Sequence, residues 1–223
     1  MQEKYRVFSG GGLKLLAILS MVIDHGGLVI FGEALPYTPF HNRIYWIMRC
    51  IGRLAFPIFL FLLVEGYFHT KNLKKYMIRL FLFALISEIP YDLAFSKTLF
   101  DFSSQNVFWT LLISVGMFAA IERFPDFYLL CIVAAAGISW LIQADYVYMG
   151  PIIAAVLFIC RNQVLRRNIL TAISLCFEPP AIASLLPINL YNGKKGISLK
   201  YFFYIFYPLH LLLLYAVWWY LTR

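Results

Sequence analysis

Apolar residues run in long stretches along this chain, separated by short polar or basic gaps, and the stretches have the length scale of a bilayer. A helix of about 17–25 residues crosses ~30 Å of hydrocarbon. Stretches of that order fall at roughly 13–31, 44–64, 76–95, 107–121, 126–142, 147–160, 169–187 and 201–221. They predict an all-α integral membrane protein, a polytopic bundle of about eight transmembrane helices. The stretch 169–187 contains Glu178-Pro179-Pro180. Proline lacks a backbone donor and clashes with the preceding turn, so this helix is expected to be broken or re-entrant near Pro179-Pro180. No soluble segment, internal repeat or low-complexity linker interrupts the pattern, and 1–223 reads as a single polytopic transmembrane domain.

Composition supports the same class. Of 223 residues, 62% are hydrophobic and 13% charged, too little polar surface to coat a soluble globule. The net charge of +8 would raise nucleic-acid binding in a soluble protein, but the bases cluster in the gaps between apolar runs and read as membrane topology. With eight spans, one side receives Lys4, Arg6, Lys14, Lys71, Lys74, Lys75, Arg79, Arg123, Arg161, Arg166, Arg167 and Arg223. The other receives Arg43, Lys97, Lys194, Lys195 and Lys200. The positive-inside rule then puts both termini in the cytoplasm, with Lys194-Lys195 fitting worst. If the segment with Glu178 does not span, the last loop and the C-terminus change sides. Cys50, Cys131, Cys160 and Cys176 stand singly, without disulfide or metal-ligand spacing, so no metal site is expected. The apolar stretch after MQEKYRVFSGGGLK contains Asp24-His25 and lacks a cleavage site, which marks a retained first helix rather than a signal peptide.

Ionisable groups at membrane depth cost a few kcal/mol each even on a lenient scale, so they face one another or a wet cavity. This chain carries Asp24 and His25 in the first span, Arg49, Arg53 and Glu65 in the second, and Glu88 and Asp92 in the third. Glu178 and His210 fall in the seventh and eighth. Arg49 and Arg53 share a helical face, as do Glu88 and Asp92, so the two bases are expected to meet the two acids across a helix pair. Gln105, Asn106 and Thr110, at the outer start of the fourth span, join that cluster. A histidine suits general-base work once a partner sets its tautomer. Asp24 is ~100° around the helix from His25 and does not automatically orient it; Glu88 or Asp92 are the carboxylates expected to.

Several blocks carry a family likeness: GLKLLAILSMVIDH (12–25), RCIGRLAFPIFLFLLVEGYFHTKN (49–72), LISEIPYD (85–92), QNVFWT (105–110), LPINLYNGKKG (186–196) and FYIFYPLHLLLL (203–214). In these the chain resembles the TraX family, membrane proteins known for N-terminal acetylation of F-type conjugative pilin. A second likeness, to the transmembrane acyltransferases including the acyltransferase 3 proteins, rests on Gly12, Leu13, Lys14 and His25. It implies that His25 takes part in moving an acyl group from cytosolic acyl-CoA to an acceptor.

Together these imply a membrane acetyltransferase of the bacterial inner membrane, N-terminus cytoplasmic, with acetyl-CoA as co-substrate. Its partners would be the lipid bilayer and an acyl acceptor: a pilin-like protein, a glycan or a small molecule. His25 is the expected base, with Asp24, Glu88 or Asp92 tuning it. Arg49 and Arg53 would polarise the carbonyl or bind the acceptor, and Glu65, Gln105, Asn106, Thr110 and His210 would line the site. Lys71, Lys74, Lys75 and Arg79 are placed to attract CoA phosphates, although a positive-inside loop looks the same. Direct transfer and an acetyl-histidine intermediate both remain open. The alternative is a small proton-coupled transporter, with the buried acids and histidine as relay and the broken helix as binding site.

Overall fold

The structure, a computed structural model, describes residues 6–197 and 200–223, with nothing said of the side chains of Lys200 and Tyr201. Lys4, counted above for topology, lies outside the described residues. The chain is helical throughout; among the described residues β-structure is limited to two isolated bridges, Phe8 with Tyr191 and Gln105 with Ala144. It divides into two compact units. The first comprises residues 1–59, 89–99 and 178–223, and the second 60–88 and 100–177.

In the first unit, α1 (Gly10–Gly26) begins at Ser9, whose Oγ accepts from the Gly12 N–H at 3.2 Å. Such a cap satisfies one of the amides a helix start leaves free. The Gly10 and Gly11 amides donate to the Lys194 and Lys195 carbonyls at 2.8 and 2.9 Å. Glycine permits that approach: a Cβ on Gly11 would stand 2.8 Å from the Ile197 carbonyl oxygen. Past Gly26 the helix widens into a π-helical stretch, Gly27–Ala34, closed by the Leu35 N–H on the Ile30 carbonyl. α2 (Pro39–Gly52), capped by Thr38, runs back against it. The two helices touch closely, since a Cβ on Gly27 would stand 2.8 Å from the Met48 Cβ, and small residues let membrane helices pack in this way. Ser20 Oγ donates to the Ile51 carbonyl at 2.6 Å.

After one tight turn at Arg53-Leu54 the chain continues as α3 (Ala55–His69), so that Pro39–His69 forms a 31-residue helical run. Pro57 lacks the N–H that the Arg53 carbonyl would otherwise accept from, which puts the jog at that turn. α4 (Leu73–Phe95) contains Pro90. In the second unit follow α5 (Val107–Arg123), a 3₁₀ turn Pro125–Phe127 leading into α6 (Tyr128–Leu141), α7 (Met149–Ile159) and α8 (Val164–Ser174). The first unit resumes with a 3₁₀ helix Pro179–Ser184, α9 (Leu185–Asn189) and α10 (Lys200–Leu221).

Among the described residues, three helical runs are long and apolar enough to cross a membrane: Gly10–Ala34, Pro39–His69 and Phe202–Leu221. They carry apolar residues outward, Leu19 at 62%, Leu209 at 60% and Leu213 at 64% exposure, a surface suited to lipid and not to water. This is an integral membrane protein. The stretch 169–187, expected to be broken near Pro179-Pro180, is three pieces. α8 ends at Ser174, several residues before the proline pair, and Pro179-Pro180 opens the 3₁₀ helix.

The topology of the last helix corrects one expectation. Lys14 lies over the Phe203 ring, 5.3 Å from its centroid, His25 touches His210, and Lys97, paired with Glu33, lies over Trp218. α10 therefore runs parallel to α1, and the described ends of the chain fall at opposite ends of the first unit rather than together. Lys194 and Lys195 lie at the start of α1, held by the Gly10 and Gly11 amides. With the endogenous cysteines replaced, single cysteines at Val7 and Thr222 are expected to react with a membrane-impermeant maleimide from opposite sides of sealed vesicles. Labelling of both from one side would contradict this topology.

Candidate active site

Neighbouring residues in α1 find separate partners in the first unit, as their ~100° separation requires. Asp24 accepts from Arg49 of α2, Nη1 to Oδ2 at 2.5 Å, and both side chains are largely covered, 17% and 13% exposed. The other oxygen, Oδ1, packs against Gly52, which has no room for a side chain: a Cβ there would overlap the Asp24 carboxyl. Gly52 is thus the position that lets the carboxylate lie between α1 and α2. Arg53, one residue on and still bonded through its N–H to the Arg49 carbonyl, pairs with Glu178 Oε1 at 2.8 Å. Its charge also acts on Asp24 and His25.

Each arginine thus has a carboxylate partner within the first unit, Asp24 for Arg49 and Glu178 for Arg53. The close α1–α2 packing brings Arg49 to Asp24, and the end of the broken segment supplies Glu178 to Arg53. Glu178 was read from the sequence as a buried charge but not as a member of the site; a carboxylate directly before a proline pair that breaks a membrane helix was the signal available.

His25 takes a second histidine as its ring partner. Its Nδ1 lies 2.9 Å from His210 Nε2 in α10, and the rings are within 11° of parallel. The second ring nitrogen of His210, Nδ1, lies 3.0 Å from the Phe206 carbonyl oxygen. Phe95 meets His25 edge-on, while Phe206 and Tyr207 pack against His210. His210 is buried at 6% exposure, whereas His25 remains partly accessible. Asp92 is also buried in this unit.

The remaining candidates belong to the second unit. Glu88 accepts from the Asn106 side-chain amide and, at 2.9 Å, from Trp109 Nε1. Asn106 caps α5 through the Phe108 N–H. The Gln105 amide donates to the Gln143 carbonyl and its carbonyl accepts from Asp145, while Thr110 Oγ1 donates to the Asp145 carbonyl at 2.5 Å. These contacts hold the start of α5 to the segment after α6. Glu65 takes two bonds from Arg161, at 2.7 and 3.3 Å, the fork geometry that favours arginine. Lys71, Lys74 and Lys75 are exposed beside the start of α4, and Arg79 lies over the Tyr76 ring. No group of His, Cys, Asp and Glu able to hold a metal occurs among the described residues.

These features define an integral membrane protein of helices with ionisable side chains paired within its spans. The chain belongs to the TraX family: the family model described as TraX protein matches residues 9–218. It is similar to the "Probable fimbrial assembly protein FimC, serogroup H1" of Dichelobacter nodosus, 27% identical over 237 residues that cover 93% of this chain and 94% of that protein. No solved structure matches the chain.

Removing one partner of a buried ion pair strands the other charge at a cost of about 3–5 kcal/mol, whereas removing both costs less. Arg49→Ala is therefore expected to lower thermal stability in detergent more than Asp24→Ala/Arg49→Ala does; the reverse order would mean that the pair is not formed. Gly52→Ala, which overpacks the same contact, is expected to cost about 1–3 kcal/mol by the same assay.

Proposed function

We propose that the protein is a membrane acetyltransferase that uses His25 to move an acetyl group from acetyl-CoA to an amine or hydroxyl of a pilin-like subunit. The supporting observation is the His25–His210 contact: one imidazole held by another within the first unit, with Arg53 close by. A histidine so held removes a proton from an acceptor in the transition state, a contribution of about 10²–10⁴-fold. The amine or hydroxyl attacks the thioester carbonyl as it loses that proton, the C–S bond breaks, and the departing CoA thiolate takes the proton back from His25 and leaves as the thiol. Arg53 is the nearby cation suited to stabilise the oxyanion of the tetrahedral intermediate. The pilin-like acceptor follows from the family likeness and from the fimbrial-assembly name of the relative.

The placement of bases gives the donor a side. Within the first unit, Arg6, Lys14, Lys194 and Lys195 stand at the end where α1 begins. Arg43, Lys97 and Arg223 take the other. By the positive-inside rule the start of α1 is cytoplasmic, in the bacterial inner membrane. Lys14 stands eleven residues before His25, on nearly the same helical face and about 16 Å away at 1.5 Å per residue. That span is comparable to an extended pantetheine arm, so a donor with its phosphates at Lys14, Lys194 and Lys195 brings its thioester towards His25.

The test is transfer of radiolabel from acetyl-CoA to the protein or to a pilin-like peptide with a free N-terminus, using purified protein in nanodiscs. Wild type is expected to transfer label and His25→Gln to lose it by at least a hundredfold. Full transfer by His25→Gln would overturn the assignment.

A further inference from the structure

The hydrogen-bond chain that ends at His25 has only one consistent arrangement of protons in the neutral state. A carbonyl oxygen accepts and cannot donate, so His210 Nδ1, 3.0 Å from the Phe206 carbonyl, carries the hydrogen. A neutral imidazole has one N–H, which leaves His210 Nε2 with a lone pair. The nitrogen 2.9 Å from it, His25 Nδ1, must then be the donor. By the same count the free lone pair of His25 lies on Nε2. The short N···N distance and the 11° angle between rings keep this bond near both ring planes, where nitrogen lone pairs lie. Pro208 stands two residues before His210 in α10.

We infer that His210 is a positioning residue that fixes His25 in the Nδ1–H tautomer and thereby makes His25 Nε2 the reacting atom. The inference rests on the reading of His25 as the base. It assigns a role that no carboxylate fills here: the orienting group is a second neutral histidine, itself oriented by a backbone carbonyl. The same chain takes the product of proton removal. When Nε2 of His25 takes a proton from the acceptor, the ring becomes an imidazolium whose Nδ1–H still points at His210 Nε2. Passing that second proton along the 2.9 Å bond leaves His25 neutral and protonated on Nε2. His210 is then the cation, its Nδ1–H on the Phe206 carbonyl. One proton enters and one positive charge is shared; no other group is required. If the lone pair attacks the thioester instead, the acetyl group also goes to Nε2, because Nδ1 is engaged.

The experiment uses the full chain in nanodiscs with ¹⁵N-labelled histidine. The protein has four histidines, and His25→Gln and His210→Gln assign the two of interest. Wild type is expected to show His25 protonated on Nδ1, the less common tautomer of a free imidazole. His210→Phe, which keeps a ring against Phe206 but removes the acceptor, is expected to shift His25 towards the Nε2–H form. It should also lower kcat for acetyl transfer about a hundredfold, leaving KM for acetyl-CoA within about twofold, in the range of a lost general-base contribution. His210→Gln, whose amide oxygen can accept in place of Nε2, should recover at least tenfold over His210→Phe. An Nε2–H tautomer at His25 in wild type overturns the inference with no variant needed. So does an unchanged kcat in His210→Phe while His25→Gln is inactive. Full activity in His25→Gln would instead overturn the functional reading, leaving the tautomer assignment standing on its own spectrum.

Discussion

The price of a charge in hydrocarbon governs where the polar side chains of this protein go. Each ion or imidazole within a span must find a partner on another element. Because the alternative is several kcal/mol of unfavourable solvation, the pairings fix helix register as firmly as apolar packing does. Asp24 and His25 are adjacent in α1 and need partners in different directions; Arg49 of α2 and His210 of α10 supply them. Three helices are thereby tied at one level. The glycines at 27 and 52 follow from the same demand, since they let α2 approach closely enough for Arg49 to reach.

That arrangement also separates a structural task from a chemical one. The Asp24–Arg49 pair consumes both charges and holds α1 to α2. Among the described residues the hydrogen-bond partner of the His25 ring is a second imidazole, that of His210. A base serves best when its partner aligns it without neutralising its capacity to take a proton. Arg53, tied to Glu178 beside this base, completes a small set of groups that differ in charge and in freedom.

Much of this was legible in the sequence, and the limits are instructive. The all-helical class followed from apolar run length, although among the described residues three runs, not eight, are long and apolar enough to cross a membrane, and the break near Pro179-Pro180 followed from the missing donor of proline. The blocks 12–25, 49–72 and 203–214 carried the family. Partner choice was not legible. Spacing shows that Arg49 and Arg53 share a face, but not that Asp24 and Glu178 are carboxylates that face meets. Lys194-Lys195 fitted poorly in an eight-span count because 169–187 is not one continuous helix; α10 then runs parallel to α1, and the lysines join the end where the chain begins. Asn106, Gln105 and Thr110 were expected to join the site from their place at the outer start of the fourth span. Their bonds show a second use for polarity, holding the start of α5 to the segment after α6.

The most direct measurement of the central claim is a scalar coupling between ¹⁵N nuclei across the His25–His210 hydrogen bond, recorded on the intact protein in a bilayer. A coupling linking one ring nitrogen of each residue is predicted, since the bond is short and close to both ring planes. Sharp signals from both imidazoles with no coupling between them would contradict the account, for His25 would then be held by something else.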